Sequence, residues 1–498
     1  MEPRRPLDLP LVALSLALSL AILASPLLPA IDLPEHVALA VQLRRLWDGD
    51  PGASALYATN VWSDNGGLHV AVAALSYVMP APMATRALLA LHPPLLALGV
   101  SRVLAATGAP AWRARLVVTT VFGFSFAWGF ANFVLGTAVA WNLLASLLLQ
   151  LERPTWRRAA GLAALSALLG LVHVMATLLL CVTALAVGLE HLARHGVRRA
   201  PAVALAGAPL WVGPVWDLLV TRAHLAHAPA SYTSPAAAPE FGPLRKLGML
   251  GAHVSGAWGS YADTAIAWVV LGGVGALVAW RWRGVKLWAP LLVAALGYWL
   301  VPPVFLNTHL VFQRLACWIV LGLLVAWPDA PPRWEARLPA WSSALSALSV
   351  ATALAHLVWF AAETRPALAL ARQAPPSARV TGVIERARTS SVRVAALAHA
   401  AALLVPEGAL DEAFSFGRFL SMPVTYRPGA TVAPPTPTWE HGVGAYQPES
   451  ALARRFPFVV VRLRDAREPT ESAVARIFRE REVKVLAREE DWLLVDAR

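Results

Sequence analysis

Just beyond the first long apolar run stand Ile31-Asp32-Leu33-Pro34-Glu35-His36, two carboxylates and an imidazole within five positions. Such groups accept and donate protons. A structural reading competes: Asp32 with Glu35 three residues on forms an acidic capping box, and Pro34 favours a helix start. That reading accounts for both carboxylates and leaves His36 and the location unexplained. Ionisable groups emerging directly from a membrane span are often functional. Further polar residues belong to the same set. Asp64, Asn65 and His69 close the segment that Asp32 opens. Asn132 follows Gly129-Phe130-Ala131, His173 sits between two apolar runs, and Asn307, His309, Gln313 and Arg314 precede another. Arg314 lies inside an apolar run, where a lone cation is costly. It calls for a carboxylate or phosphate partner, so a structural pairing with Asp32 or Glu35 stands beside phosphate binding. His173 taken singly is the kind of histidine that packs in a core more often than it binds a ligand. No one of these residues is specific; their shared face is the signal.

That face follows from the elements that carry it. The chain has 498 residues, 57% hydrophobic and only 14% charged, with a mean hydropathy of +0.55. Soluble domains carry about a quarter charged residues. Apolar stretches of about twenty residues, long enough to cross a bilayer, recur from Leu9 to Ala362 and then stop. From Glu363 onward charges are frequent. The chain therefore reads as a transmembrane domain, 1–362, and a soluble domain, 363–498. A net charge of +12 would suit nucleic acid. Most basic residues, however, fill short connections between apolar runs, where they orient the chain and meet anionic headgroups; membrane lipids, not nucleic acid, are the partners. Lysine occurs only at Lys246, Lys286 and Lys484. Cys181 and Cys317 lie in apolar runs and form no disulfide, thiol or metal motif. The run Leu9 to Leu28 is longer than most signal-peptide cores and reads as an uncleaved helix.

Basic loops set the threading. Arg4 and Arg5 place the N-terminus in the cytoplasm. Residues 31–65 are then outside, and Arg102, Arg113 and Arg115 inside. Only one crossing fits between them, so Met83 to Ala106 spans, and the short Gly66 to Met79, ended by Pro80 and Pro82, lies at the outer surface. Leu116–Gly129, Asn132–Leu151, Ala159–Val172, Met175–Leu192 and Ala200–Val220 then alternate. Thr221 to Asp263 form a long outer loop. Thr264–Trp280, Leu287–Val304, Leu310–Trp327 and Ala340–Ala362 complete about eleven spans. The fold class is mainly α: a polytopic bundle with interfacial helices, then a small α/β soluble domain outside the membrane.

A helix is expected to follow Ile31 to His36 and run to about Trp47, with Leu39, Ala40, Leu43, Leu46 and Trp47 at helical spacing, its apolar face toward the membrane interface, and Asp48-Gly49-Asp50-Pro51 as its end. In the soluble domain, Phe458 to Val461 reads as a buried strand, Glu471 to Glu482 as a helix, and Val483–Leu486 with Trp492–Val495 as a hairpin. Val392 to Leu404 reads as a further helix and Thr431 to Thr438 as an irregular loop.

On these residues the chain resembles the GT-C superfamily of membrane glycosyltransferases, which includes protein mannosyltransferases, oligosaccharyltransferases and aminoarabinose transferases. The likeness covers roughly residues 7–362. Asp32 to His36 stand where members carry the acidic motif of the first outer loop. Gly129-Phe130-Ala131-Asn132-Phe133-Val134-Leu135-Gly136 is similar to a segment of bacterial members, and Arg314 to their phosphate-facing arginine. The resemblance implies a bacterial inner or plasma membrane enzyme that moves a hexose or pentose from a polyprenyl-phosphate donor to a glycan, lipid or protein acceptor. It implies Asp32 as base, Glu35 and His36 beside it, Arg314 and His309 on the donor phosphate, and Asp64, His69, Asn132 and His173 around the substrate. Many members have adjacent acidic residues able to hold a divalent metal; here Asp32 and Glu35 are three apart, and no metal or other cofactor is assigned. A lipid or glycan transporter, suggested by His92-Pro93-Pro94 in the second span, and a non-catalytic assembly protein are the alternatives.

Overall fold

The computed structural model describes residues 8–63, 65–225, 242–305, 308–329, 331–419, 421–430, 446–479 and 481–498. The chain forms two compact units. The first comprises Met1–Ala24, Leu89–Phe126 and Phe130–Ala355; the second comprises Ser25–Leu88, Ala127–Gly129 and His356–Arg498.

The first unit is a helix bundle. Among the described residues, five helices are long and apolar enough to cross a membrane: Ala81–Ala106, Ala131–Glu152, Val174–His195, Ala262–Trp280 and Leu338–Ala371. Shorter apolar helices are Leu9–Ala24, Ala289–Leu300 and Val311–Ala326. The chain is an integral membrane protein. Large side chains fill the bundle; Trp141 and Trp318 are fully buried with ring centroids 5.4 Å apart.

The second span bends at His92-Pro93-Pro94, where helix His92–Ala106 begins. Proline supplies no N–H to the carbonyl four residues back. For Pro94 that carbonyl belongs to Ala90, and the Ser19 hydroxyl donates to it at 2.6 Å. That carbonyl is therefore satisfied within the bundle, as a low-dielectric setting requires. Arg113, in a basic connection, is only 1% exposed and donates to the carbonyls of Trp327 and Pro328 and to Asp329.

Three expectations change in this unit. Leu116 to Gly129 is not a regular α-helix: it is the end of a 3₁₀ segment, Ala111–Thr120, followed by the short helix Phe124–Trp128. The β-branched run from Val117 to Val121 disfavours an α-turn. Ala200 to Val220 is broken into Ala200–Gly207, a 3₁₀ turn Ala208–Trp211 and Val212–Leu225, with prolines at the joints. The stretch read as an outer loop contains helix Pro243–Ser255. Its Lys246 donates to the carbonyls of Tyr298, Trp299 and Val301, at the C-terminal end of Ala289–Leu300, where cations are favoured.

The second unit joins residues far apart in sequence. Helix Leu33–Trp47 is covered along most of its length; Leu39 and Leu43 pack with Leu56, Tyr57, Ala73 and Val424 in one core cluster. The face expected on lipid is thus used in a protein core. Helix Gly67–Leu75 has 9 residues, about 14 Å of rise, less than half of what a bilayer crossing needs. Strand Tyr57–Thr59 pairs antiparallel with Val424–Tyr426. Gln42 donates to the Leu410 carbonyl at 2.5 Å, and Arg45 to those of Ala409 and Val405 at 2.7 and 3.4 Å.

The C-terminal part of this unit holds a five-stranded sheet in the order Asp411–Glu412, Arg379–Ile384, Phe458–Arg462, Trp492–Asp496, Lys484–Glu489. The first three strands are parallel, and the last two form the expected hairpin. Helix Thr470–Phe478, shorter than expected, packs Ala473, Ile477 and Phe478 on Val459, Val461 and Leu493. Val392 to Leu404 is not a helix. Only Ala400–Leu404 turns, as 3₁₀, because nearby backbone is held by non-local bonds: the Ser390 and Ser391 N–H groups donate to Glu363 at 2.8 and 3.1 Å, and Leu397 N–H to the Ala387 carbonyl at 3.0 Å. Thr431 to Thr438 lie outside the described residues.

Candidate functional site

In the second unit, the capping reading of Asp32 fails on both halves. Asp32 stands at the N-cap of helix Leu33–Trp47 in αR conformation, and its side chain makes no capping bond. The backbone N–H that Glu35 would have accepted goes instead to the Trp128 carbonyl at 3.0 Å, and the neighbouring Ile31 N–H to Ala127 at 3.1 Å. Gly129 explains the glycine of its motif. Its φ is +94°, and a Cβ there would stand 2.5 Å from the Asp32 nitrogen. Any side chain would push Asp32 off its backbone partner.

Freed from capping, the Asp32 carboxylate meets the imidazole of His399, with Oδ1 3.4 Å from Nε2 and side chains 14% and 11% exposed. Sequence reasoning missed His399, which falls in the stretch read as a helix. Glu35 is completely buried.

His36 and His69 come together. His69 Nδ1 lies 3.0 Å from the Asn65 carbonyl, which only accepts, so Nδ1 carries the proton. A neutral imidazole has one N–H, so His69 Nε2 is an acceptor. His36 Nδ1, 2.9 Å away, must then donate. The lone pair of His36 is then on Nε2. Burial holds the His69 imidazole down at about 4, the Asn65 bond acting against it. That keeps it neutral and the chain of donors fixed. Phe416 packs edge-on to His36, with ring centroids 5.5 Å apart.

In the first unit, the structure brings Arg314 and His173 together. Arg314 is 7% exposed and ends the short helix Val311–Arg314. Its guanidinium carbon lies 3.5 Å from the centroid of Phe130, and Nη1 lies 3.4 Å from His173 Nε2. His173 caps helix Val174–His195, its Nδ1 accepting from the Met175 N–H at 3.1 Å. The proton of a neutral His173 is therefore on Nε2, facing the guanidinium. Two donors converge there, an arrangement an anionic oxygen completes. Gly136 allows this approach: a Cβ on it would meet Ala176 Cβ at 2.9 Å, with His173 Cβ at 3.6 Å. Asn132 is buried near the start of Ala131–Glu152.

His309 lies in a two-residue strand paired with Val304; its side chain, like the whole of Asp64 and Asn307, lies outside the described residues. Among the described residues no three His, Cys, Asp or Glu side chains form a group able to hold a metal ion.

No family model and no curated protein matches the sequence. Solved structures do. ArnT from Cupriavidus metallidurans bound to undecaprenyl phosphate is similar with a TM-score of 0.55 at 13% identity, over 98% of each chain. The same protein in the apo state gives 0.54 at 14%, again over 98% of each. The fold is that expected from the GT-C resemblance, and it extends through the C-terminal domain, which the sequence likeness did not reach.

Proposed function

We propose that this chain, which has the fold of the GT-C membrane glycosyltransferases, moves a sugar from a polyprenyl-phosphate donor to an acceptor at the outer face of the membrane. One observation carries the reading: it shares its fold end to end with a protein whose structure holds undecaprenyl phosphate. The convergence of Arg314 and His173 N–H groups supports it, because two donors beside an aromatic face suit a lipid-linked phosphate oxygen.

The chemistry is a single displacement. The acceptor hydroxyl gives its proton to the Asp32 carboxylate as its oxygen bonds to the anomeric carbon. The bond from that carbon to the phosphate oxygen breaks, and its electron pair leaves on the polyprenyl phosphate. Configuration inverts. Arg314, with the His173 Nε2–H and His309, holds the charge that develops on the departing phosphate. His36 Nε2 accepts a hydrogen bond from the acceptor; Glu35, His69 and Asn132 shape the surroundings. The N-terminus is cytoplasmic and the soluble domain 363–498 extracytoplasmic, so reporter fusions after Trp327 should read inside and fusions after Glu363 outside.

The test is transfer by the purified, detergent-solubilised chain. Undecaprenyl-phosphate-linked hexoses and pentoses serve as donors and a bacterial envelope extract as acceptor. Asp32→Asn should fold normally, since its side chain caps nothing, and turnover should fall about 10²- to 10⁴-fold. Arg314→Gln should raise the donor KM as well as lower turnover, because the charge acts on phosphate before and during transfer. Transfer from none of these donors by the wild-type chain sinks the reading; a folded Asp32→Asn protein at the wild-type rate removes Asp32 as base.

A further inference from the structure

The C-terminal domain supplies an imidazole that stands beside the Asp32 carboxylate. His399 begins the 3₁₀ turn Ala400–Leu404, and its Nε2 lies 3.4 Å from Asp32 Oδ1. Both side chains are largely buried, so water screens the pair poorly. The contact is held at its far end as well. Beyond the turn, the carbonyls of Val405, Ala409 and Leu410 accept from Arg45 and Gln42 on the helix that Asp32 opens. The turn and the helix are thus fastened at both ends, and His399 has little freedom to leave Asp32. Its ring is walled by Phe414 and Phe416, with centroids 5.6 and 6.0 Å away. Phe416 also flanks His36, so one aromatic side chain sets two imidazoles around the start of that helix.

We propose that His399 is the positioning residue for Asp32, contributed by the C-terminal domain. This rests on Asp32 acting as the base. His399 Nε2–H donates to Asp32 Oδ1. A carboxylate held through one oxygen presents the other in a fixed direction, here Oδ2 toward the acceptor hydroxyl. A separation of 3.4 Å is long for a finished hydrogen bond, and such contacts shorten when substrate closes the site. The proton of the acceptor still ends on Asp32, and His399 keeps its own. The domain is then part of the transferase and not a brace.

The experiment uses the full-length protein and the undecaprenyl-phosphate donor that supports wild-type transfer. His399→Ala should lower kcat about 10- to 100-fold with donor KM within about twofold. His399→Gln, whose amide N–H reaches the same region, should recover most of the loss. Adding His399→Ala to Asp32→Asn should cost little more than Asp32→Asn alone, because the two act as a unit. A purely structural role would instead lower the melting temperature and give additive losses. If His399→Ala melts early, His399→Gln decides: folded with near wild-type kcat, it supports the donor role, and folded with kcat as low as Asp32→Asn, it overturns it. Wild-type kcat in His399→Ala, with Asp32→Asn inactive, overturns this proposal and leaves the glycosyltransferase reading standing. Wild-type kcat in Asp32→Asn removes the base and this proposal with it.

Discussion

Asp411 and Asp32 are both acids of the second unit, and each meets a residue from the other end of the chain. Asp411 is completely buried and accepts from the hydroxyls of Tyr57 and Tyr426 and from the Glu412 N–H. The two phenol rings stack with centroids 4.7 Å apart, where Tyr57 and Tyr426 also share a strand pair. Every feature points to a strut: three donors hold Oδ1, and Oδ2 is walled from water without a hydrogen-bond partner among the described residues. Asp32 has the opposite surroundings. It is partly exposed, is bypassed by its own helix's capping geometry, and faces an imidazole. An acid pinned through one oxygen by three donors, with its other oxygen walled from solvent, cannot meet a substrate proton; a partly exposed acid meeting one imidazole can. These two carboxylates are told apart by donors and access taken together, not by joining distant segments.

The largest effect that separates them is on transfer. Asp32→Asn should cost about 10²- to 10⁴-fold in turnover. Asp411→Asn, whose amide oxygen still accepts from both phenols, should cost less than about threefold. Equal losses in the same assay would erase the distinction.

On stability the order reverses. Asp411→Leu leaves two phenol hydroxyls without their acceptor, at roughly 1–3 kcal/mol each. Tyr57 is 1% exposed and keeps only its longer 3.4 Å contact to the Tyr426 hydroxyl. The unfolding midpoint of the detergent-solubilised protein should fall clearly for Asp411→Leu and stay near wild type for Asp32→Asn. A loss in Asp32→Asn as large as that in Asp411→Leu would mean Asp32 is also a strut.

The imidazoles divide in the same way. His69 is the fully buried member of a buried pair and is held neutral, down at about 4. The unfolded chain takes up a proton near 6.5 that the folded chain refuses. Stability is therefore full above about 6.5 and is lost as pH falls toward 4, by roughly 3 kcal/mol at most. His69→Gln should flatten that limb of the unfolding profile. An unchanged slope would show that His69 is not the group responsible.

How much of this was legible in the sequence depends on range. Helix Leu33–Trp47, the hairpin at Glu490-Asp491 and the apolar helices follow from periodicity, turn residues and run length, all local signals. Asp32, His36, His69, His173 and Arg314 were singled out by type and place. Their partners were not all legible. The bond from Gln42 to Leu410 crosses 368 positions, and no periodicity reports such a link. His399 was hidden twice, by its distance from Asp32 and by an alanine-rich surrounding that reads as helix until the bonds to Glu363 and Ala387 are seen. The role of Gly129 was invisible for the same reason: the steric demand comes from Asp32, not from its own turn alone. The capping box at Asp32 misled because its spacing is right and only the Trp128 carbonyl, elsewhere in the chain, decides where the N–H goes.

The smallest expected effect returns to Asp411 and tests whether burial or its donors dominate there. Burial pushes its carboxyl above the usual carboxylate value, and the hydroxyls of Tyr57 and Tyr426 act against that push. The direction is upward, so the folded chain holds the proton more tightly than the unfolded chain does. Below the ordinary value of 3.8 both states are protonated and the stabilisation is complete. As pH rises through the folded value, the buried carboxylate must ionise in a poorly solvated place, and stability is lost. Asp411→Asn has nothing to ionise and keeps an acceptor for both phenols. The difference in unfolding midpoint, variant minus wild type, should therefore grow in favour of the variant as pH rises from about 4. The profile is best read against His69→Gln as background, which removes the opposing loss at low pH. If the difference stays flat, the donors balance burial and Asp411 is a neutral strut. If it grows as pH falls, the donors win, Asp411 is a stabilised carboxylate, and its contrast with Asp32 rests on geometry alone.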